Sequence, residues 1–140
     1  FSQEIRQKIN IKYPGIFIHP QDSTICGVSH LLWTGDTIDK NSSSRNAVFY
    51  GDKAIDRSPC GTGTSARMAQ LFQKGKLKIG EEFIHESYIG SKFTGKIASE
   101  SRVGDFKAIV PSIKGWAKVF GYNKIVIDED DPYAHGFQVI

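Results

Sequence analysis

Residues Asp56 to Ala66 read DRSPCGTGTSA, a single cysteine set against a glycine-rich stretch that opens a helix. Cys60 is followed by Gly61, Thr62, Gly63 and Thr64, small or hydroxylated residues whose backbone N–H groups stay open. At a helix N-terminus four such donors lack intrahelical partners, so the segment can curl into a nest for an anion. The same positive end of the helix favours a thiolate; cysteines so placed have pKa values lowered from about 8.5 to roughly 3.5–7.5. A proton-transfer base thus sits beside a seat for a carboxylate, the pairing needed for chemistry at the α-carbon of an amino acid. The helix itself is expected from near Gly61 to Gln73, with Gly75 ending it. Ala66, Met68, Ala69, Leu71 and Phe72 make it apolar on more than one side, while Gly63, Ser65 and Ala66 allow close approach. That pattern suits a central helix wrapped by sheet, not a surface helix with one apolar stripe.

Working outward, the rest reads mostly as strand. Ser2 to Asn10 is a short helix, with Ile5 and Ile9 one turn apart and Pro14 stopping it. Gly15 to His19, Thr24 to Trp33 and Arg45 to Tyr50 are strands, separated by a polar loop at Asp39 to Ser44. Beyond the helix, strands are expected at Glu82 to Tyr88, Ser91 to Ser99, Phe106 to Val110 and Ala117 to Ile127. Pro132 and Gly136 bracket a turn before Phe137 to Ile140. The fold class is therefore α+β, a sheet around one helix.

The composition describes an ordinary globular domain. The 140 residues suffice for one core, and a hydrophobic share of 39% with 24% charged residues is unexceptional. A net charge of +3 is too small and dispersed to argue for nucleic acid. The densest basic run, Lys74, Lys76 and Lys78, reads as helix-end dipole partners on a solvated face. No apolar stretch reaches the length of a membrane span.

Cys26 and Cys60 are the two cysteines. A thiol beside a helix-opening glycine run reads as reactive and reduced, which points to a cytoplasmic setting and against a Cys26–Cys60 disulfide. Cys26, between Ile25 and Gly27, reads as a buried small hydrophobe. His19, Cys26 and His30 match no standard zinc spacing, so no metal is expected.

The DRSPCGTGTSA block resembles the second cysteine motif of the proline racemase family. SHLLWTGD (Ser29 to Asp36), ESYIGSKFTGKI (Glu86 to Ile97) and IDEDDPYAHGF (Ile127 to Phe137) resemble that family's surrounding segments in order and spacing, so the likeness runs from about Ile16 onward. A bare CGTG would also suit the related diaminopimelate epimerases; the Asp56-Arg57-Ser58-Pro59 lead-in resembles the proline branch. The resemblance implies a diaminopimelate epimerase-like domain, a barrel-like sheet around a central helix, one of two such domains in a cofactor-independent enzyme with two catalytic cysteines. The family's first cysteine lies in a CGH-type motif that this chain lacks. The expectation is that residues 1–140 are the C-terminal catalytic half of a longer enzyme. The first cysteine would then come from a missing N-terminal half, residues from about 128 to 140 would pack towards that half, and the isolated chain would be inactive. A homodimer and a small amino-acid substrate belong to the same expectation.

Carried over motif by motif, the resemblance makes Cys60 the catalytic thiol, gives Asp56 the substrate's ring ammonium, and gives the N–H groups of Gly61 and Thr62 its carboxylate. In the region of His30, hydroxyproline epimerases are similar in having a histidine where proline racemases tend to carry cysteine. An imidazole can bond a 4-hydroxyl group. Tyr50 is a candidate wall of the ring pocket or simply a core aromatic; His85 and His135 are read as structural or surface residues. The leading expectation is epimerisation at C2 of 4-hydroxyproline. Proline racemisation, the family's trans-3-hydroxyproline dehydratase branch (which usually has threonine in place of the second cysteine) and a non-catalytic carboxylate-binding fragment are the alternatives.

Overall fold

The computed structural model describes residues 1–138; the end of the expected closing run, positions 139 and 140, lies outside them. Helix α1 spans Ser2–Lys12 and is followed by a two-stranded ribbon, β1 (Ile18–His19) with β2 (Asp22–Cys26). The main sheet contains β3 (His30–Gly35), β4 (Ser44–Tyr50), β5 (Ala54–Ile55), β6 (Glu82–Ser87), β7 (Lys92–Val103) and β8 (Phe106–Lys114), with α2 (Gly61–Gln73) between β5 and β6. Its order is β3-β4-β6-β7-β8, with β5 attached to β4. All neighbours run antiparallel except β4 and β6, whose parallel pairing requires the crossover that α2 supplies. The class is α+β, as expected.

The sheet curls around α2. Met68 and Ile97 are fully buried and join Leu77 and Phe83 in the core, flanked by Leu71, Phe72, Ile109 and Ile113. The helix packs so closely on β7 that a Cβ at Gly95 would lie 2.6 Å from Met68 Sδ. Near its N-terminus a Cβ at Gly63 would come within 3.0 Å of Leu32 Cδ1 on β3. Small residues at these two crossings let one sheet approach the helix closely at its middle and near its N-terminus. The helix closes with a Schellman arrangement: Lys76 N–H donates to Leu71 C=O (2.8 Å), Gly75 N–H to Phe72 C=O (2.9 Å), and Gly75 has φ 66°. Lys74, Lys76 and Lys78 lie beyond the helix on the solvated face.

Five expectations change. Of the strand anticipated over Gly15 to His19 only Ile18–His19 forms, because Gly15 sits in a turn at φ 78°. Gly27, at φ 74°, breaks the long strand anticipated over Thr24 to Trp33 into β2 and β3. The β7–β8 hairpin is longer than anticipated, reaching Gly104 at φ 56° after a register shift between Ile97 and Ser99. Residues 115–138 contain turns but no strand, so Ala117 to Ile127 does not join the sheet; its β-forming side chains lack the paired neighbour that a strand requires. Phe120 is 92% exposed and Tyr122 95% exposed there. Cys26, finally, is an exposed free thiol rather than a buried one, because neither face of the small β1–β2 ribbon is covered.

Candidate active site

Cys60 stands at the N-cap of α2, where β5 hands the chain to the helix. Its Sγ accepts from Gly63 N–H at 3.2 Å, and its carbonyl accepts the first helical bond from Thr64 N–H at 2.8 Å. Among the described residues, nothing accepts from the N–H groups of Gly61 and Thr62, the next two donors of the helix terminus. The backbone at Cys60 has φ 63° and ψ 117°, the only positive φ at a non-glycine residue among those described. Such a conformation costs on the order of 1–3 kcal/mol and persists only where the surroundings impose it.

Those surroundings are polar and built from both sides of the turn. On the exposed side, Asp56 Oδ1 accepts from Ser58 N–H (2.8 Å) and Ser58 Oγ (2.9 Å), and Ser58 Oγ in turn accepts from Cys60 N–H at 3.0 Å. On the buried side, Asn46 Nδ2 donates to the carbonyl of Pro59 at 2.8 Å. Thr64 Oγ1 lies 3.2 Å from the same carbonyl and 2.9 Å from His85 Nδ1. Asn46 Nδ2 also reaches the His85 ring at 3.0 Å.

His85 is fully buried. Burial pushes its imidazole down to about 4, and the nearby Arg67 charge acts in the same direction. It is therefore neutral wherever the fold is intact near neutrality. The unfolded chain takes up this proton near pH 6.5 and the folded chain only near 4. Between those values the unfolded state holds more protons, so stability present above pH 6.5 is lost as the pH falls towards 4. The full effect is about 3 kcal/mol. Urea unfolding of the full-length protein at pH 7, 5.5 and 4 should show this fall. A His85→Phe variant should show a flatter profile.

The thiol opens into a cavity of about 680 Å³ whose wall includes Phe17, Val28, His30, Leu32, Val48, Cys60, Thr62, Gly63, Ala66, Arg67 and Gln70. That volume lies within the range of small-molecule sites. His30, first residue of β3, faces this cavity because α1 fixes the segment before it. Asn10 bonds the backbone of Val28 in both directions, at 2.7 and 3.1 Å, and Arg6 donates to the carbonyls of Ser29 and Gly51. His30 Nδ1 pairs with Ser29 Oγ at 2.8 Å, and its ring stacks on Tyr50 at 5.6 Å between centroids. Among the described residues Nε2 has no partner.

Of the residues singled out from sequence, Cys60, Thr62 and His30 share the cavity. Gly61 is exposed beside it with a free N–H. Asp56 is half-buried and lies outside the cavity wall, its Oδ1 engaged by Ser58. Tyr50 backs His30 and lines a separate cavity of about 510 Å³ under α1.

A profile of the proline racemase family matches residues 1–138. The chain belongs to the proline racemase family. Within the family, the 4-hydroxyproline 2-epimerase of Shewanella loihica is 64% identical over 123 residues, covering 88% of this chain and 37% of its own length. That of Spirosoma linguale is 58% identical over 140 residues, covering 100% of this chain and 41% of its own. This chain thus spans about two fifths of the length of these relatives. Among solved structures of the family, a hydroxyproline epimerase from Agrobacterium vitis with bound trans-4-hydroxy-L-proline matches with a TM-score of 0.77. It is 31% identical, and the match covers 98% of this chain and 38% of that one. A probable proline racemase from Agrobacterium radiobacter K84 with bound carbonate gives the same TM-score at 34% identity, covering 99% and 40%.

Sequence reasoning missed Asn46, Thr64, Arg67 and the buried setting of His85. The first and last lie on β4 and β6, which become neighbours only through the parallel register pairing Ser44 with His85 and Asn46 with Ser87. The polar side chains inside apolar strand patterns were the available signal.

Proposed function

We propose that this chain supplies one of two thiols in a cofactor-independent 4-hydroxyproline 2-epimerase. The observation that carries the reading is Cys60 itself: a thiol capped by Gly63 N–H, opening into a cavity, with two further free N–H groups beside it. The thiolate of Cys60 takes the proton from C2 on one face of the ring. The electron pair released from the C–H bond spreads into the substrate carboxylate. Gly61 and Thr62 N–H groups, fixed before the reaction begins, stabilise that charge. A thiol from the remainder of the protein delivers a proton to the opposite face of C2, leaving Cys60 as thiol and its counterpart as thiolate. The reverse reaction restores both. The unengaged Oδ2 of Asp56 serves the ring ammonium.

His30 supports the hydroxylated substrate over proline. Its free Nε2 in the cavity wall can bond a 4-hydroxyl, and Tyr50 stacking with the Ser29 bond holds the ring in place. The names of the similar relatives agree with that choice. The exposed aromatic residues of the segment after Gly115 fit a surface covered by the rest of a longer protein, which is also the source of the second thiol.

Iodoacetamide labelling of the full-length enzyme with peptide mapping tests the assignment. Trans-4-hydroxy-L-proline should protect Cys60 and leave Cys26 reacting as an ordinary surface thiol. Protection of Cys26 alone would remove the site from the α2 terminus.

A further inference from the structure

The buried side of the Cys60 turn contains three polar side chains that no packing requirement explains. His85 and Thr64 are fully buried and Asn46 is 3% exposed. They come from β6, α2 and β4: Asn46 and Thr64 both donate to one backbone oxygen, the carbonyl of Pro59 immediately before the thiol, and His85 bonds both of those side chains. An apolar trio would fill the same volume but would leave the buried Pro59 carbonyl without a donor.

The donors and acceptors can be assigned in one consistent way. Asn46 must present Nδ2 to Pro59, since its other amide atom would set oxygen against oxygen. A neutral imidazole has one donor and one acceptor. With the proton on Nδ1, His85 donates to Thr64 Oγ1, which leaves the hydroxyl hydrogen for the Pro59 carbonyl. Nε2 then accepts the second hydrogen of Asn46 Nδ2. The loop closes: imidazole to hydroxyl, hydroxyl and amide to carbonyl, amide back to imidazole. It fixes the peptide plane between Pro59 and Cys60, and that plane sets φ at Cys60, hence the direction of its Cβ–Sγ bond.

We propose that His85, Thr64 and Asn46 form a positioning network that aims the Cys60 thiol by clamping the Pro59 carbonyl. None of them touches the cavity's contents. They act on the thiol through the backbone, complementing Ser58, which holds Cys60 N–H from the other side. Losing a clamp bond lets the strained turn relax towards ordinary φ, swinging Sγ away from Gly63 N–H and from the free donors of Gly61 and Thr62. Substrate still binds through those donors and His30, so turnover falls and affinity does not.

The inference rests on the epimerase reading above, and the test separates the two. Thr64→Val keeps the volume and removes the hydroxyl; Thr64→Ser keeps the hydroxyl; His85→Phe removes both ring nitrogens. In the full-length enzyme, Thr64→Val and His85→Phe should lower kcat for trans-4-hydroxy-L-proline about ten- to hundredfold, with KM within about threefold of wild type. Both should slow iodoacetamide modification of Cys60 by a comparable factor. Thr64→Ser should recover to within about threefold in both measurements. A Thr64→Val protein that melts cooperatively yet keeps wild-type kcat and labelling rate would overturn the network, whatever becomes of the bulkier His85→Phe. So would an equal loss in Thr64→Ser. A Cys60→Ala enzyme that retains epimerase activity would instead overturn the parent reading. The labelling rate needs no turnover and therefore judges the network independently of the substrate.

Discussion

Cys60→Ser in the full-length enzyme is expected to lower kcat for C2 epimerisation by about a thousandfold or more. A serine hydroxyl at the same N-cap retains size and hydrogen bonding, and still accepts from Gly63 N–H. It does not ionise in the working range, so the face of the substrate served by Cys60 loses its base. Positioned acid–base groups contribute about 10²–10⁴-fold each. Proton exchange at C2 should stop with epimerisation for the epimer whose C2–H faces Cys60, while the epimer facing the second thiol can still exchange without inverting. Polarimetry for epimerisation and deuterium wash-in by NMR measure the two quantities. Epimerisation near the wild-type rate, or exchange retained in both epimers, would remove Cys60 from the reaction.

His30→Ala should discriminate between substrates. If imidazole Nε2 bonds the ring hydroxyl, the variant leaves that hydroxyl unpaired in a closed site, a loss of roughly 1–3 kcal/mol. The corresponding fall in kcat/KM for trans-4-hydroxy-L-proline is about one to two decades. Residual turnover of L-proline, which offers nothing to the imidazole, should change little. Parallel polarimetric assays of wild type and variant on both substrates decide it. An equal fall on both would make His30 a general support of the site. A wild-type preference for L-proline would favour proline racemisation, with the same thiol chemistry.

What could be read in the sequence followed the range of the interactions involved. Cys60, the α2 boundaries and the Gly75 stop depend on neighbours within a few residues, and all three were legible. The sheet around α2 was legible in outline because Gly63, Met68 and Leu71 show that the helix is covered on several sides. The clamp under Cys60 was not. Asn46 and His85 meet because β4 and β6 pair in parallel across a crossover, a fact of register that no local pattern contains. The segment Ala117 to Ile127 shows the opposite failure. Its composition is that of a strand, but strand formation depends on a partner, and among the described residues it has none. Cys26 misled for a related reason, since apolar flanks imply burial only when another layer covers them.

The backbone at Cys60 also constrains how this site can evolve. At φ 63° and ψ 117° glycine is the residue that fits without strain, and glycine has no proton to give or take. Selection for a firmer fold and selection for turnover therefore pull position 60 in opposite directions. A lineage released from its substrate would be expected to drift to glycine here while keeping Asn46, Thr64 and His85 for a time, so that an intact clamp around an empty position would mark an enzyme that had lost its reaction before it lost its shape.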